Sequence, residues 1–164
     1  MPKLGLFALA IGIGLAGNAA GDDADRNEEV KLDVYSGYFE KNNSGLKGEQ
    51  SFVAILGRKS FDSIFGVARV IGKKPELVPE GAFKDRLVIA TMKRGGESWT
   101  YEVDKVTLDD KGTLTLRYQA SSKDGGGAKF ASPLILSVPK GDYKRILFVE
   151  NGKEVGKAEL DAKK

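Results

Sequence analysis

The chain of 164 residues is 41% hydrophobic and 30% charged, with 26 Lys and Arg interspersed among 23 Asp and Glu and a formal charge of +3. It contains neither His nor Cys, which excludes a Ser-His-Asp triad, a Cys nucleophile, a disulfide framework and the usual zinc, haem and iron–sulfur sites. So even a mixture of charges favours a soluble domain over a dedicated nucleic-acid surface.

Residues 1–20 carry one charge, Lys3, ahead of an apolar stretch over 4–16 and the small residues Gly17, Asn18, Ala19 and Ala20. This is the pattern of a secretory signal peptide. The stretch is shorter than the roughly 20 residues that span a bilayer. Cleavage after Ala19 or Ala20 is therefore expected to release a secreted or periplasmic domain with no stable membrane insertion. Residues 21–30, with Asp22, Asp23, Asp25, Glu28 and Glu29, have almost nothing to bury and read as a flexible acidic lead-in without the spacing of a calcium loop. Residues 31–164 read as a single β-rich domain whose core must suffice without disulfides.

Tyr35, Tyr38 and Phe39 put three aromatics within one short stretch; on a strand Tyr35 and Phe39 share the buried face and Tyr38 points out. Asn42-Asn43-Ser44 matches the glycosylation pattern of a eukaryotic secretory route. The apolar run 52–56 predicts a strand. Over 60–71 a helix is expected, with Ser60 as its cap, Asp62 in the first turn, and Phe61, Ile64, Phe65 and Ala68 at helical spacing. Gly66 weakens it, and Lys73-Lys74-Pro75 ends it, leaving 76–81 as a loop.

From there the pattern is mostly period two. Residues 87–92 are apolar on both faces and predict a central strand covered on both sides, and 146–149 predict another. Trp99, Tyr101 and Val103 alternate with polar residues, Asp109-Asp110-Lys111-Gly112 makes a tight turn, and Leu114, Leu116 and Tyr118 return as the partner strand. Residues 121–127, Ser-Ser-Lys-Asp-Gly-Gly-Gly, read as a flexible connection to a strand over 130–138. Pro133 in that strand belongs at its start, at an edge or at a bulge. Asn151-Gly152 suits a type I′ turn between the last two strands, and Gly156 eases a bulge in the final one. The expected fold is mainly β, an antiparallel sandwich or open barrel with one short helix over about 60–71.

The order of several of these segments carries a resemblance. The run 52–56, Phe61-Asp62-Ser63-Ile64-Phe65, the stretch 83–90, Gly95-Gly96 before Tyr101-Glu102-Val103, the strand 114–118, Ser132-Pro133, Val138-Pro139-Lys140 and Phe148-Val149-Glu150 together resemble the PrcB-type C-terminal domain of bacterial exported proteins, over residues 50–151. In that family, as we read its pattern, an aromatic directly follows Gly-Gly, whereas here Glu97 and Ser98 precede Trp99. The resemblance implies an exported accessory domain that supports a protease or envelope assembly, with no catalytic residues to carry over.

No constellation of catalytic, cofactor-binding or metal-ligating residues stands out. Ser60, Ser132 and Ser137 lie near lysines but fit a cap, a turn and a strand better than a Ser-Lys nucleophile. Residues 93–98, Lys-Arg-Gly-Gly-Glu-Ser, lack the ending of a phosphate loop and sit between strands, where a hairpin loop is expected. The candidate binding residues are accordingly in loops: Arg94 as an anion contact, Gly95, Gly96, Glu97, Trp99 as an apolar anchor or a core residue, Lys123 and Asp124. The expected function is non-enzymatic protein binding in the extracytoplasmic space, as an inhibitor, stabiliser or subunit. The alternative is a small-molecule or glycan-binding module that stacks its ligand on Trp99 and Tyr38.

Overall fold

A computed structural model describes residues 27–68, 72 and 74–160. The expected signal peptide, most of the acidic lead-in, residues 69–71 of the expected helix, Lys73 and residues 161–164 lie outside the described residues. In chain order the elements are β1 (Glu28–Glu29), β2 (Asp33–Tyr35), β3 (Tyr38–Glu40), β4 (Gln50–Ile55), helix α1 (Arg58–Ile64), β5 (Phe65–Val67), a 3₁₀ turn (Ala82–Lys84), β6 (Arg86–Gly95), β7 (Glu97–Leu108), β8 (Thr113–Asp124), β9 (Phe130–Pro139), β10 (Arg145–Glu150) and β11 (Lys153–Glu159). The lead-in expected over 21–30 ends early, because Glu28–Glu29 pair with Thr107 and Leu108.

The strands form a sandwich, not a closed barrel. A five-stranded sheet runs β1-β7-β8-β10-β11 and a four-stranded sheet runs β2-β9-β6-β4, with β3 and β5 as a separate pair. Among the described residues every pairing is antiparallel except β8 with β10, which is parallel. Between the two sheets lies a core of Leu87, Ile89, Leu134, Leu136 and Val138 from one side and Val106, Leu114, Leu116, Tyr118, Ile146 and Phe148 from the other. The far face of the four-stranded sheet, with Val88, Ala90, Met92 and Ile135, is covered by Phe61 of α1, Phe65, Val78 and Ala82. Strand β6 is thus buried on both faces, as its unbroken apolar run requires. On the outer face of β10 the expected cover is partial: Val149 is buried and Leu147 half-buried.

Both predicted hairpins form. Asp109 Oδ1 accepts from the N–H groups of Lys111 and Thr113 and closes the β7–β8 turn. Asn151 and Gly152 take the positive φ values of 50° and 79° that a type I′ turn demands. A bulge does occur in β11, since Phe148 pairs with Gly156 and Val149 with Glu154, but it ejects Val155 to the surface. Pro133 lies in β9 ahead of the stretch that β2 covers, where β6 is its one hydrogen-bonded neighbour.

The helix departs from its predicted bounds. It starts at Arg58 after Gly57, with no side-chain cap, and ends at Ile64 because Phe65 turns extended and continues as β5. Ser60 sits inside it. Gly66, which argued against helix, lies in β5 beneath the ring of Phe39.

Candidate functional site

The residues at one end of the inter-sheet core are polar, and strand periodicity puts them there. Leu87, Ile89, Thr91 and Lys93 alternate along one face of β6, and Ile146, Phe148 and Glu150 do so along β10. Each series begins apolar and ends charged, and the two charges meet: Lys93 Nζ donates to Glu150 Oε1. Only 14% of the Lys93 side chain and 9% of that of Glu150 is exposed. The second carboxylate oxygen, Oε2, accepts from Tyr118 Oη at 3.0 Å and from Gln50 Nε2 at 3.4 Å. Gln50 Nε2 also lies 3.4 Å from Thr91 Oγ1. Trp99 closes the cluster, its ring centroid 3.7 Å from Lys93 Nζ, in a cation–π contact. Burial pushes the phenols of Tyr101 and Tyr118 well above the usual tyrosine range, and the Glu150 charge adds to it. Tyr101 Oη donates to Ser132 O at 2.8 Å. Beside this cluster a cleft of about 370 Å³ opens to solvent, lined by Gln50, Lys93, Gly95, Gly96, Glu97 and Trp99 among others.

Arg94 points to the opposite face of β6. Its Nε and Nη2 donate to the two oxygens of Glu40, each at 2.7 Å, while Nη1 donates to Gly48 O and Ser51 Oγ. Burial pushes the Glu40 carboxyl up, but the hydrogen bonds from Arg94 and Ser44 and the Arg94 charge outweigh it and hold Glu40 below the usual carboxylate range. Next to this pair lies a second cleft, about 520 Å³, lined by Phe39, Lys41, Leu46, Lys129 and Phe130, and it shares Arg94 and Gly95 with the first.

The expected hairpin loop at 93–98 is a bend instead. β6 belongs to one sheet and β7 to the other, so the chain turns a corner at Gly95-Gly96 and continues as strand. β8 and β9 make the matching turn at Gly125, whose N–H donates to Gly96 O at 2.9 Å. The expected flexible connection at 121–127 is therefore pinned: Ser121 to Asp124 are strand, and the Phe130 ring lies over Gly125. The β8–β9 corner is close enough to need glycine, because a Cβ at Gly125 would fall 2.4 Å from Gly96 O.

These facts locate each predicted site residue. Arg94, Gly95, Gly96, Glu97, Trp99, Lys123 and Asp124 gather at the bend, with Glu97 opposite Asp124 and Trp99 opposite Ser122 across β7 and β8. Arg94 is no free anion contact, since Glu40 already takes its fork. Trp99 is half-buried, neither core nor open platform, with Lys93 on its ring. Around Tyr38 the expectation reverses. Ser36 and Gly37 break the stretch into β2 and β3. Tyr38 packs edge-on against Phe61 and accepts the Val78 N–H, and Phe39 is 45% exposed. Gln50, Glu40 and Glu150 belong to no site motif in the sequence. For Glu150 the alternation Ile146, Phe148, Glu150 does place an acid on the core face.

No protein-family model matches this chain, and no curated protein or solved structure matches it.

Proposed function

We propose that the chain is an exported, non-enzymatic accessory domain that binds a protein partner at the bend between its two sheets. The observation that carries this reading is the pair of exposed rings there, Phe39 at 45% and Phe130 at 36% exposure, lining one cleft beside the cations Lys41 and Lys129. Aromatic side chains amid a charged rim are the composition of a protein interface, and the pinned corner presents them with little entropy left to lose on binding. The partner chemistry that fits is a chain segment offering an apolar side chain to the rings and a carboxylate to the lysines. Following the family resemblance, such a partner is a component of an extracytoplasmic protease or envelope complex that the domain stabilises or inhibits.

The test is capture from the extracytoplasmic fraction of the source cells. The mature domain is compared with a Phe130→Ser/Lys129→Glu variant and with an Arg117→Glu variant on the outer face of the five-stranded sheet. Loss of one defined partner in the first variant only, at unchanged melting temperature, supports the reading. Capture indifferent to the first variant, or abolished by Arg117→Glu, overturns it.

A further inference from the structure

We infer that Lys93 and Gln50 are a site of intramolecular amide formation, an isopeptide bond joining β6 to β4, with Glu150 as the proton carrier. This stands apart from the proposed partner surface and uses none of its rings.

Gln50 and Lys93 are direct cross-strand partners. Their side chains leave the same face of the sheet and reach the same carboxylate, Lys93 Nζ at Oε1 and Gln50 Nε2 at Oε2. Glu150 arrives from the facing sheet and is 8% exposed. An amine, a carboxamide and a carboxyl group that touches both are the components of transamidation, and their strands hold them together so that no encounter step remains.

The chemistry balances without a co-reactant. The Lys93 ammonium gives a proton to Glu150, and the freed Nζ lone pair attacks Gln50 Cδ while the carbonyl π pair moves to oxygen. Glu150 delivers its proton to Nε2 and then takes one from Nζ. As the oxygen pair returns, the Cδ–Nε2 bond breaks and ammonia leaves, to be protonated when Glu150 reionises. One C–N bond forms and one breaks, nothing is oxidised or reduced, and the carboxyl group is regenerated. The adjoining cleft, lined by Gln50, Lys93 and Trp99, gives ammonia a way out. Tyr118 Oη, donating to Oε2, steadies the carboxyl group in place. A Cys-free exported domain would gain by this bond the chain closure that disulfides give others.

Intact mass decides it. The full chain is expressed with its export route intact, the mature N-terminus is determined, and the denatured protein is weighed against the mass its sequence requires. The expected result is a deficit of about 17 Da, one ammonia, as transamidation demands, with tryptic mapping joining the Gln50 and Lys93 peptides and no cleavage after Lys93. Lys93→Arg and Glu150→Gln, each purified as folded protein, are expected to restore the full mass. Full mass in folded wild-type protein overturns the inference. So does a deficit of about 18 Da mapped to Lys93 and Glu150, the water lost in direct condensation. A deficit that persists in Lys93→Arg, or that maps to Asn151-Gly152 as a hydroxylamine-labile succinimide, overturns it equally.

Discussion

Removing the guanidinium of Arg94 should cost this domain more than any other single surface-side substitution at the bend. Arg94 ties three separate segments together: Glu40 in β3, the carbonyl of Gly48 in the loop before β4, and Ser51 in β4. The pair is mostly buried, 20% of the Arg94 side chain and 8% of that of Glu40 being exposed. Arg94→Ala leaves the Glu40 carboxylate with Ser44 alone. Breaking a buried pair from one side costs about 3–5 kcal/mol, and the partial exposure of Arg94 places this case at about 3 kcal/mol. With an m-value of about 2 kcal/mol/M the urea midpoint falls by about 1.5 M. Trp99, the one tryptophan of the chain and half-buried, reports the transition by fluorescence.

The double variant Arg94→Met/Glu40→Met should recover most of that loss, giving a coupling energy of about 2 kcal/mol. The pH dependence follows from the lowered Glu40 value. The unfolded chain takes up this proton first as the pH falls, so the stabilisation is present above the ordinary carboxylate range and is lost as the pH drops through the folded value. The cost of Arg94→Ala therefore shrinks on acidification. A midpoint shift below about 0.3 M, strict additivity of the two substitutions, or a cost that does not vary between neutral and acid pH would refute the reasoning.

Gly125→Ala drives a methyl group into Gly96 O and the Phe130 ring and is expected to cost about 1–3 kcal/mol in a thermal melt. Asn151→Ala loses the two hydrogen bonds between the side chain and the Ala120 backbone and strains a positive φ, for about 2–3 kcal/mol; Asn151→Gly relieves the strain and should recover about 1 kcal/mol of that in the same assay. Tyr101 and Tyr118 should resist ionisation in an ultraviolet alkaline titration until the fold gives way. Because their folded values are raised, the stabilisation they bring is complete below the usual tyrosine value and declines as the pH rises past it. Phenolate appearing with the exposed tyrosines, ahead of unfolding, contradicts this.

Much of the fold was legible because turns are local. Asn151-Gly152 and Asp109 to Gly112 each encode a reversal in the residues that make it, and both hairpins follow. The helix was misplaced because Phe61, Ile64 and Phe65 satisfy helical spacing, yet Phe65 reaches the same core from a strand once the chain turns extended. At Gly95-Gly96 two strands separated by glycines look like a hairpin locally. Only the long-range pairings of β6 with β9 and β7 with β8 make it a bend, and no neighbouring residue encodes these. The parallel union of β8 with β10 is equally non-local. At the site, Arg94 and Trp99 were found by residue type, but their partners were not. Glu40, Gln50 and Glu150 are ordinary polar residues whose burial arises from which strand crosses over them.

The shared corner also limits how the molecule can breathe. Residues 86–108 and 113–139 form one long ribbon that folds over itself, so the two sheets are stitched together along that side by continuous chain and backbone pairing. On the opposite side β4 and β11 meet without being paired as sheet neighbours, and there the Phe52 ring rests on Gly156. A thermal opening of the sandwich must therefore run like a book, with its spine at Gly96 and Gly125 and its free margin along β11. Amides of β11 should exchange with solvent through this partial opening, while those of β6 and β9 wait for the whole fold to come apart. A ligand or partner that grips the spine leaves that margin free to move.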